Sequence, residues 1–295
     1  MATKARVALF KSVGALMEVL PERVDVAAAS AIAATVGRRN KKARANLANN
    51  LAHVLSAPRS SLDDELLELF VNRGFRSYGQ YWAEGAKLPA LAKSTIYDRF
   101  CIAEGLEHLV EGKERGKGVI IALPHMGSWE WGGSFLNSLG LGMTAVAEEL
   151  EPPELFAWFK KKRESIGIRI EPLNEHAGSV LLSTLRSGAV VGLLCDRDLQ
   201  GNGVEVDFFG ARVTMPAGPA TLALRTGATL VAAACYAGPG RDHFAVATAP
   251  IECERTKRLR EDVARVTQLI AVELEGLIRR APEQWHVLED RFVTR

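Results

Sequence analysis

At 295 residues, with 47% hydrophobic and 24% charged side chains, the chain is long enough to bury a substantial core and too apolar for disorder. Its 37 basic and 35 acidic residues leave a net charge of +2, a balance that gives no case for nucleic-acid binding. Four cysteines, Cys101, Cys195, Cys235 and Cys253, lack CxxC spacing; this argues against a disulfide framework or a zinc site and fits a reducing, cytoplasmic compartment.

The first segment, 4–20, reads as an amphipathic helix ended by Pro21. Val7, Phe10, Val13, Met17 and Leu20 form one stripe, and Lys4, Arg6 and Lys11 lie off it. The apolar run is short of the roughly 20 residues a spanning helix needs, and Lys11 and the missing small-residue cleavage site argue against a signal peptide. Such a helix either lies on an anionic membrane surface or packs on its own domain. Helices are expected at 24–36, 42–55 and 62–86, the last opened by Ser60, Ser61, Asp63 and Asp64 as caps and dipole-compensating acids. From about residue 100 the pattern alternates: strand 100–103, helix 106–115, strand 119–123, helix 129–139, strand 143–147, helix 153–166, strand 168–171, helix 177–186, strand 189–195. A hairpin over 203–209 and 212–215 follows. A helix from Pro216, strands 229–237 and 243–249, and a long amphipathic helix 257–280 complete the chain. This alternation predicts an α/β fold: a single mixed, mostly parallel central sheet flanked by helices on both faces. No Pro/Gly/Ser linker interrupts it, so 1–92 is expected to pack as a helical, membrane-facing cap on an α/β domain at 93–295, as a monomer.

The densest chemical signal is Gly118-Val-Ile-Ile-Ala-Leu-Pro-His-Met-Gly-Ser-Trp-Glu-Trp-Gly-Gly133. A buried strand runs to Leu123, Pro124 discourages helix there, and Met126-Gly127 turns toward Ser128 as a plausible N-cap. His125 and Glu130 stand five apart, about 140° around a continuous helix, so they must straddle a junction. That arrangement puts His125 at the carboxyl end of a strand, where open α/β sheets bind ligands, with Glu130 near enough to hold its tautomer. GxSxG, HExxH and CxxC are all absent, so no serine nucleophile or motif-borne metal presents itself, and the histidine is left to activate the substrate's own hydroxyl.

Pro124-His125-Met-Gly-Ser-Trp-Glu130 resembles the HX4(D/E) motif of the lipid A biosynthesis and lysophospholipid-type acyltransferases. Three further stretches agree in order: Val146-Ala-Glu148-Glu149 with Phe159-Lys-Lys-Lys-Arg163; Cys195-Asp196-Arg197-Asp198 with Val206 to Ala220; and Pro282-Glu-Gln-Trp285. The resemblance implies that His125 is the general base and Glu130 orients it, and that Arg163 faces the acyl donor or a phosphate. It implies an acyl-CoA donor, palmitoyl-CoA, as co-substrate with no further cofactor and no metal. Tyr81-Trp82-Ala83-Glu84 and Trp129-Glu130-Trp131-Gly132-Gly133 carry a likeness to actinobacterial members whose acceptor is a phosphatidylinositol mannoside, acylated on a mannose 6-hydroxyl at the cytoplasmic face of the plasma membrane; a lipid A precursor or another glycolipid is the alternative.

Other residues are candidates for the same cleft. Glu148 ends a strand at the expected site edge. Asp196 and Asp198 end another; either lines the cleft or caps the loop through Gly201 and Gly203. Glu205, alternating with Val204 and Val206, reads as a solvent-facing strand residue or, because Gly203 to Asp207 continues directly from that loop, as a second acid. Arg38-Arg39-Asn40-Lys41-Lys42-Ala43-Arg44 lacks the aromatic interleaving of nucleic-acid sites and is either a solvated run or, beside the first helix, a face for anionic lipid. Leu155, Phe156, Trp158 and Phe159 read as core or as walls of an acyl-chain groove. The oxyanion of acyl transfer would meet amides near Gly127 and Ser128, or Arg163. An α/β-hydrolase and a non-catalytic lipid-binding protein remain the rival readings.

Overall fold

A computed structural model describes residues 2–55 and 63–292, so Ser60, Ser61 and Leu62 of the expected helix start lie outside the described residues. Four helices come first: α1 (Ala2–Val19), α2 (Glu22–Arg39), α3 (Lys41–Val54) and α4 (Asp64–Lys87). Local chemistry sets their ends. Asn40 caps α3 by accepting from the Ala43 amide at 3.1 Å, and Asp63 caps α4 by accepting from Glu65 at 3.0 Å. Leu47, Leu51, Leu67, Val71 and Phe75 form a core between α3 and α4. The buried Lys87 ammonium ties three helices together, donating to the Met17 carbonyl of α1 and the Asp25 carboxylate of α2, each at 2.9 Å. A buried charge so partnered avoids the large cost of an unpaired one.

The remaining chain runs α5 (Lys93–Arg99), β1 (Phe100–Glu104), α6 (Leu106–Glu114), β2 (Val119–Leu123), α7 (Trp129–Ser138), β3 (Met143–Ala147), α8 (Pro153–Ser165), β4 (Arg169–Pro172), α9 (Ala177–Arg186), β5 (Val190–Leu194), β6 (Val204–Phe208), β7 (Ala211–Met215), α10 (Gly218–Thr226), β8 (Thr229–Ala237), β9 (His243–Ala247) and α11 (Leu259–Arg279). The expected α/β class and mixed, mostly parallel sheet are observed. Seven strands lie in the order β1-β9-β8-β2-β5-β3-β4. Strands β8, β2, β5, β3 and β4 are parallel; β9 joins β8 antiparallel and β1 follows β9. Every residue of β2 is buried, as a strand covered on both faces requires. The hairpin β6–β7 is a separate two-stranded sheet.

A helix that the sequence did not announce and a later helix start both have identifiable reasons. Helix α5 was not expected because Ile96 is its one buried residue, too little to set a periodicity. The last helix begins at Leu259 rather than 257, because the Thr256 and Lys257 amides turn back to the Asp262 carboxylate at 3.1 and 3.0 Å.

Candidate active site

Strands β2 and β5 are neighbours in register, with Leu123 opposite Leu194. The residues that follow them therefore emerge side by side at the carboxyl edge of the sheet. His125 Nδ1 lies 2.5 Å from Asp196 Oδ1, the His125 amide donates to Asp196 Oδ2 at 3.0 Å, and Trp285 Nε1 donates to the same oxygen at 2.7 Å. Burial alone would raise the Asp196 carboxyl, but the imidazole charge and these three donors hold it down to about 2. A carboxylate only accepts, so the proton between the pair sits on Nδ1, and Nε2 is left as the ring's proton acceptor. Asp196 is fully buried, whereas the His125 side chain is 24% exposed and lines a groove of about 910 Å³.

The acid on the imidazole is thus Asp196, and this corrects the expectation for Glu130. Glu130 stands in the first turn of α7 and faces α4 and α8. It accepts from the Tyr81 hydroxyl at 3.0 Å and from Arg163 at 3.1 Å. Burial would lower the Arg163 guanidinium, but the Glu130 charge raises it; burial and the same carboxylate raise the Tyr81 phenol. Arg163 also lies over the Trp129 ring, 5.2 Å from its centroid. Ser128 begins α7 without a side-chain cap, because its hydroxyl donates to Glu84 at 2.8 Å. Glu84 in turn meets His243 Nε2 at 3.0 Å. Tyr81-Trp82-Ala83-Glu84 is therefore a one-turn segment of α4 that grips both ends of Ser128-Trp-Glu130.

The closing Pro-Glu-Gln-Trp block holds the turn from the other side. His286 donates its amide to the His125 carbonyl at 2.7 Å, Gly127 donates to the Gln284 carbonyl at 3.0 Å, and the Gln284 side chain clamps both backbone groups of Ala237. The Gly127 amide is thereby occupied, which removes it from the expected oxyanion donors. Gly127 has φ +53°, and a Cβ there would stand 1.7 Å from the Cys235 carbonyl oxygen. Gly127→Ala is expected to cost roughly 3 kcal/mol or more, a fall on the order of 10 °C in Tm, measured by thermal unfolding.

The other candidates separate cleanly. Glu148 is exposed and lines the groove, as do Arg163 and Asp198. Asp198 also fulfils its structural alternative, accepting from the Gly201 and Gly203 amides at 2.9 Å each. Glu205 is corrected: it sits in the hairpin opposite Thr214, 74% exposed and 3.5 Å from Arg212, outside the groove lining. Sequence reasoning missed His286, which lines the groove, bonds Ser77 at 2.9 Å and is pushed by burial, with a contribution from His125, down to about 3. It also missed the bond from Trp285 to Asp196, although the Pro282–Trp285 block was a visible signal. Trp158 and Phe159 help wall a separate apolar cavity of about 210 Å³.

The chain that builds this site is similar to known proteins. The family model of bacterial lipid A biosynthesis acyltransferases matches residues 3–294. The chain belongs to that family. It is an acyltransferase. The phosphatidylinositol mannoside acyltransferase of Mycobacterium tuberculosis is 36% identical over 253 residues, 84% of this chain and 76% of that protein. The protein of that name from Mycolicibacterium smegmatis is 33% identical over 251 residues, 84% and 79%. A lipid A biosynthesis acyltransferase of Haemophilus influenzae is 26% identical over 183 residues, 61% and 55%. Among the described residues of the acyltransferase, no helix is long and apolar enough to cross a membrane. Its first three helices expose Leu16, Val19 and Lys11 of α1, Ile32, Val36, Arg38 and Arg39 of α2, and Lys41 and Lys42 of α3. Arg44 of the same basic run is taken up by Glu68 and Asn72.

Proposed function

We propose that this acyltransferase moves a palmitoyl group from palmitoyl-CoA to a mannose 6-hydroxyl of a phosphatidylinositol mannoside, while bound peripherally to the cytoplasmic face of the plasma membrane. The observation that carries the reading is the His125–Asp196 pair, open to a groove in a chain 36% identical to a phosphatidylinositol mannoside acyltransferase. His125 Nε2 takes the hydroxyl proton as the sugar oxygen attacks the thioester carbonyl; the tetrahedral intermediate collapses, the C–S bond breaks, and the thiolate of coenzyme A leaves with that proton. Asp196 holds the tautomer and stabilises the transient imidazolium. The oxyanion meets the Ser128 amide at the positive end of α7, since Gly127 is engaged elsewhere. The chemistry proposed needs no metal or prosthetic group.

The groove of about 910 Å³, lined by Leu150, Leu173, Leu181, Leu182 and Leu194 beside His125, offers the donor's acyl chain apolar walls. The exposed apolar and basic residues of α1 and α2 support contact with an anionic surface, where hydrocarbon burial and lysine and arginine charge act together. The test is to incubate the purified protein with palmitoyl-CoA and separate lipid acceptors: phosphatidylinositol mannosides, a lipid A precursor and phosphatidylinositol. Mass analysis is expected to find one palmitoyl ester on the mannose of the first; acylation of the lipid A precursor alone would overturn the acceptor assignment.

A further inference from the structure

The proposed reaction brings two hydrocarbon parts to one groove: the donor's acyl chain and the lipid tails of the acceptor. The groove has two apolar neighbours. One, about 30 Å³, lies beneath Trp129 in the α/β core. The other, about 210 Å³, lies between α1, α4 and α8, where Phe10, Met17, Gly85 and Trp158 wall it; nothing assigns it an occupant. We infer that this second cavity takes an alkyl tail of the membrane-borne acceptor, an inference that rests on the proposed function.

Three observations carry it. First, the cavity meets the outside through apolar side chains: Val13 lines it and is 43% exposed, and Leu16 and Val19, further along α1, are more exposed still. A tail leaving a bilayer would meet these side chains first, with Lys162 a charged residue of the lining, whereas the cavity beneath Trp129, about 30 Å³, is too small for a chain. Second, the cavity and the groove share Tyr81, Trp82 and Arg163, so one molecule spanning both would pass that partition. Third, the order of chemistry along this path matches a phosphoglycolipid. Hydrocarbon lies against α1, the Arg163 guanidinium stands at the boundary for a phosphate, and the groove beyond holds His125 for the sugar hydroxyl.

Gly85 offers a clean test. It lies inside α4 and lines the cavity, and a Cβ built there meets nothing within 4 Å. Gly85→Leu therefore fills cavity space while replacing a poor helix former with a good one, and the fold is expected to hold. With palmitoyl-CoA and diacylated phosphatidylinositol mannoside in mixed micelles, the KM for the acceptor is expected to rise about tenfold, with the KM for palmitoyl-CoA within about twofold of wild type. A rise in the palmitoyl-CoA KM, or a shift of preference to shorter acyl-CoA, would place the donor chain in this cavity and overturn the inference. An unchanged acceptor KM would overturn it as well. Failure of the underlying function looks different, because the wild-type protein itself would then acylate no phosphatidylinositol mannoside.

Discussion

Asp196→Asn is expected to lower kcat by about 10³-fold while leaving the KM for palmitoyl-CoA within a few-fold of wild type. Three N–H groups converge on the two oxygens of this carboxylate: His125 Nδ1, the His125 amide and Trp285 Nε1. An asparagine supplies one acceptor oxygen and an NH2 that opposes a donor. If the amide oxygen stays with the backbone and Trp285, the NH2 faces the ring, and the imidazole must turn Nδ1 into an acceptor and carry its proton on Nε2. That is the wrong tautomer for removing a hydroxyl proton. The substitution also leaves a buried donor poorly paired, at about 1–3 kcal/mol, so thermal unfolding should accompany the kinetics. Glu130→Gln is the control, since that side chain bonds Tyr81 and Arg163 rather than the ring. The sign of the pH effect follows. Asp196 is held near 2 against an ordinary 3.8, so its contribution to stability is complete above 3.8 and lost as the pH falls toward 2.

Much of this site was legible in the sequence. Val119 to Leu123 and the Pro-His-x-Gly turn fixed where His125 emerges, because a short buried run with a proline at its end has few alternatives. Glu130 was legible as belonging to the site but not in its bonding. The partner of His125 comes from β5, which pairs with β2 although β3 and β4 intervene in the chain, and strand order is not written in local pattern. Spacing drew attention to the nearer acid. For the same reason Asp196 and Asp198, two residues apart, were equivalent in the sequence; one turned inward to the imidazole and the other closed the loop through Gly201 and Gly203. Glu205 is a candidate second acid in the sequence because its segment continues directly from the Asp198 loop, but the expected hairpin turns it to solvent. The Pro-Glu-Gln-Trp block was recognisable as a motif, yet its work is done largely by backbone groups of Gln284 and His286, which residue identities do not announce.

His125→Ala is expected to reduce transfer by about 10⁴-fold, the combined effect of losing the base and the group that returns the proton to the leaving thiolate. The side chain is partly exposed and its removal leaves the helices of the α1–α2 surface untouched, so association with anionic vesicles should persist. A lipid-binding protein without catalysis would show no transfer in either form. A hydrolase would release palmitate from palmitoyl-CoA without needing an acceptor. The decisive measurement is the rate at which wild-type and His125→Ala proteins, on the same vesicles, transfer palmitate from palmitoyl-CoA to phosphatidylinositol mannosides: transfer by the wild type and its loss in the vesicle-bound variant is the expected result, and transfer retained by the variant would contradict a reaction based on His125.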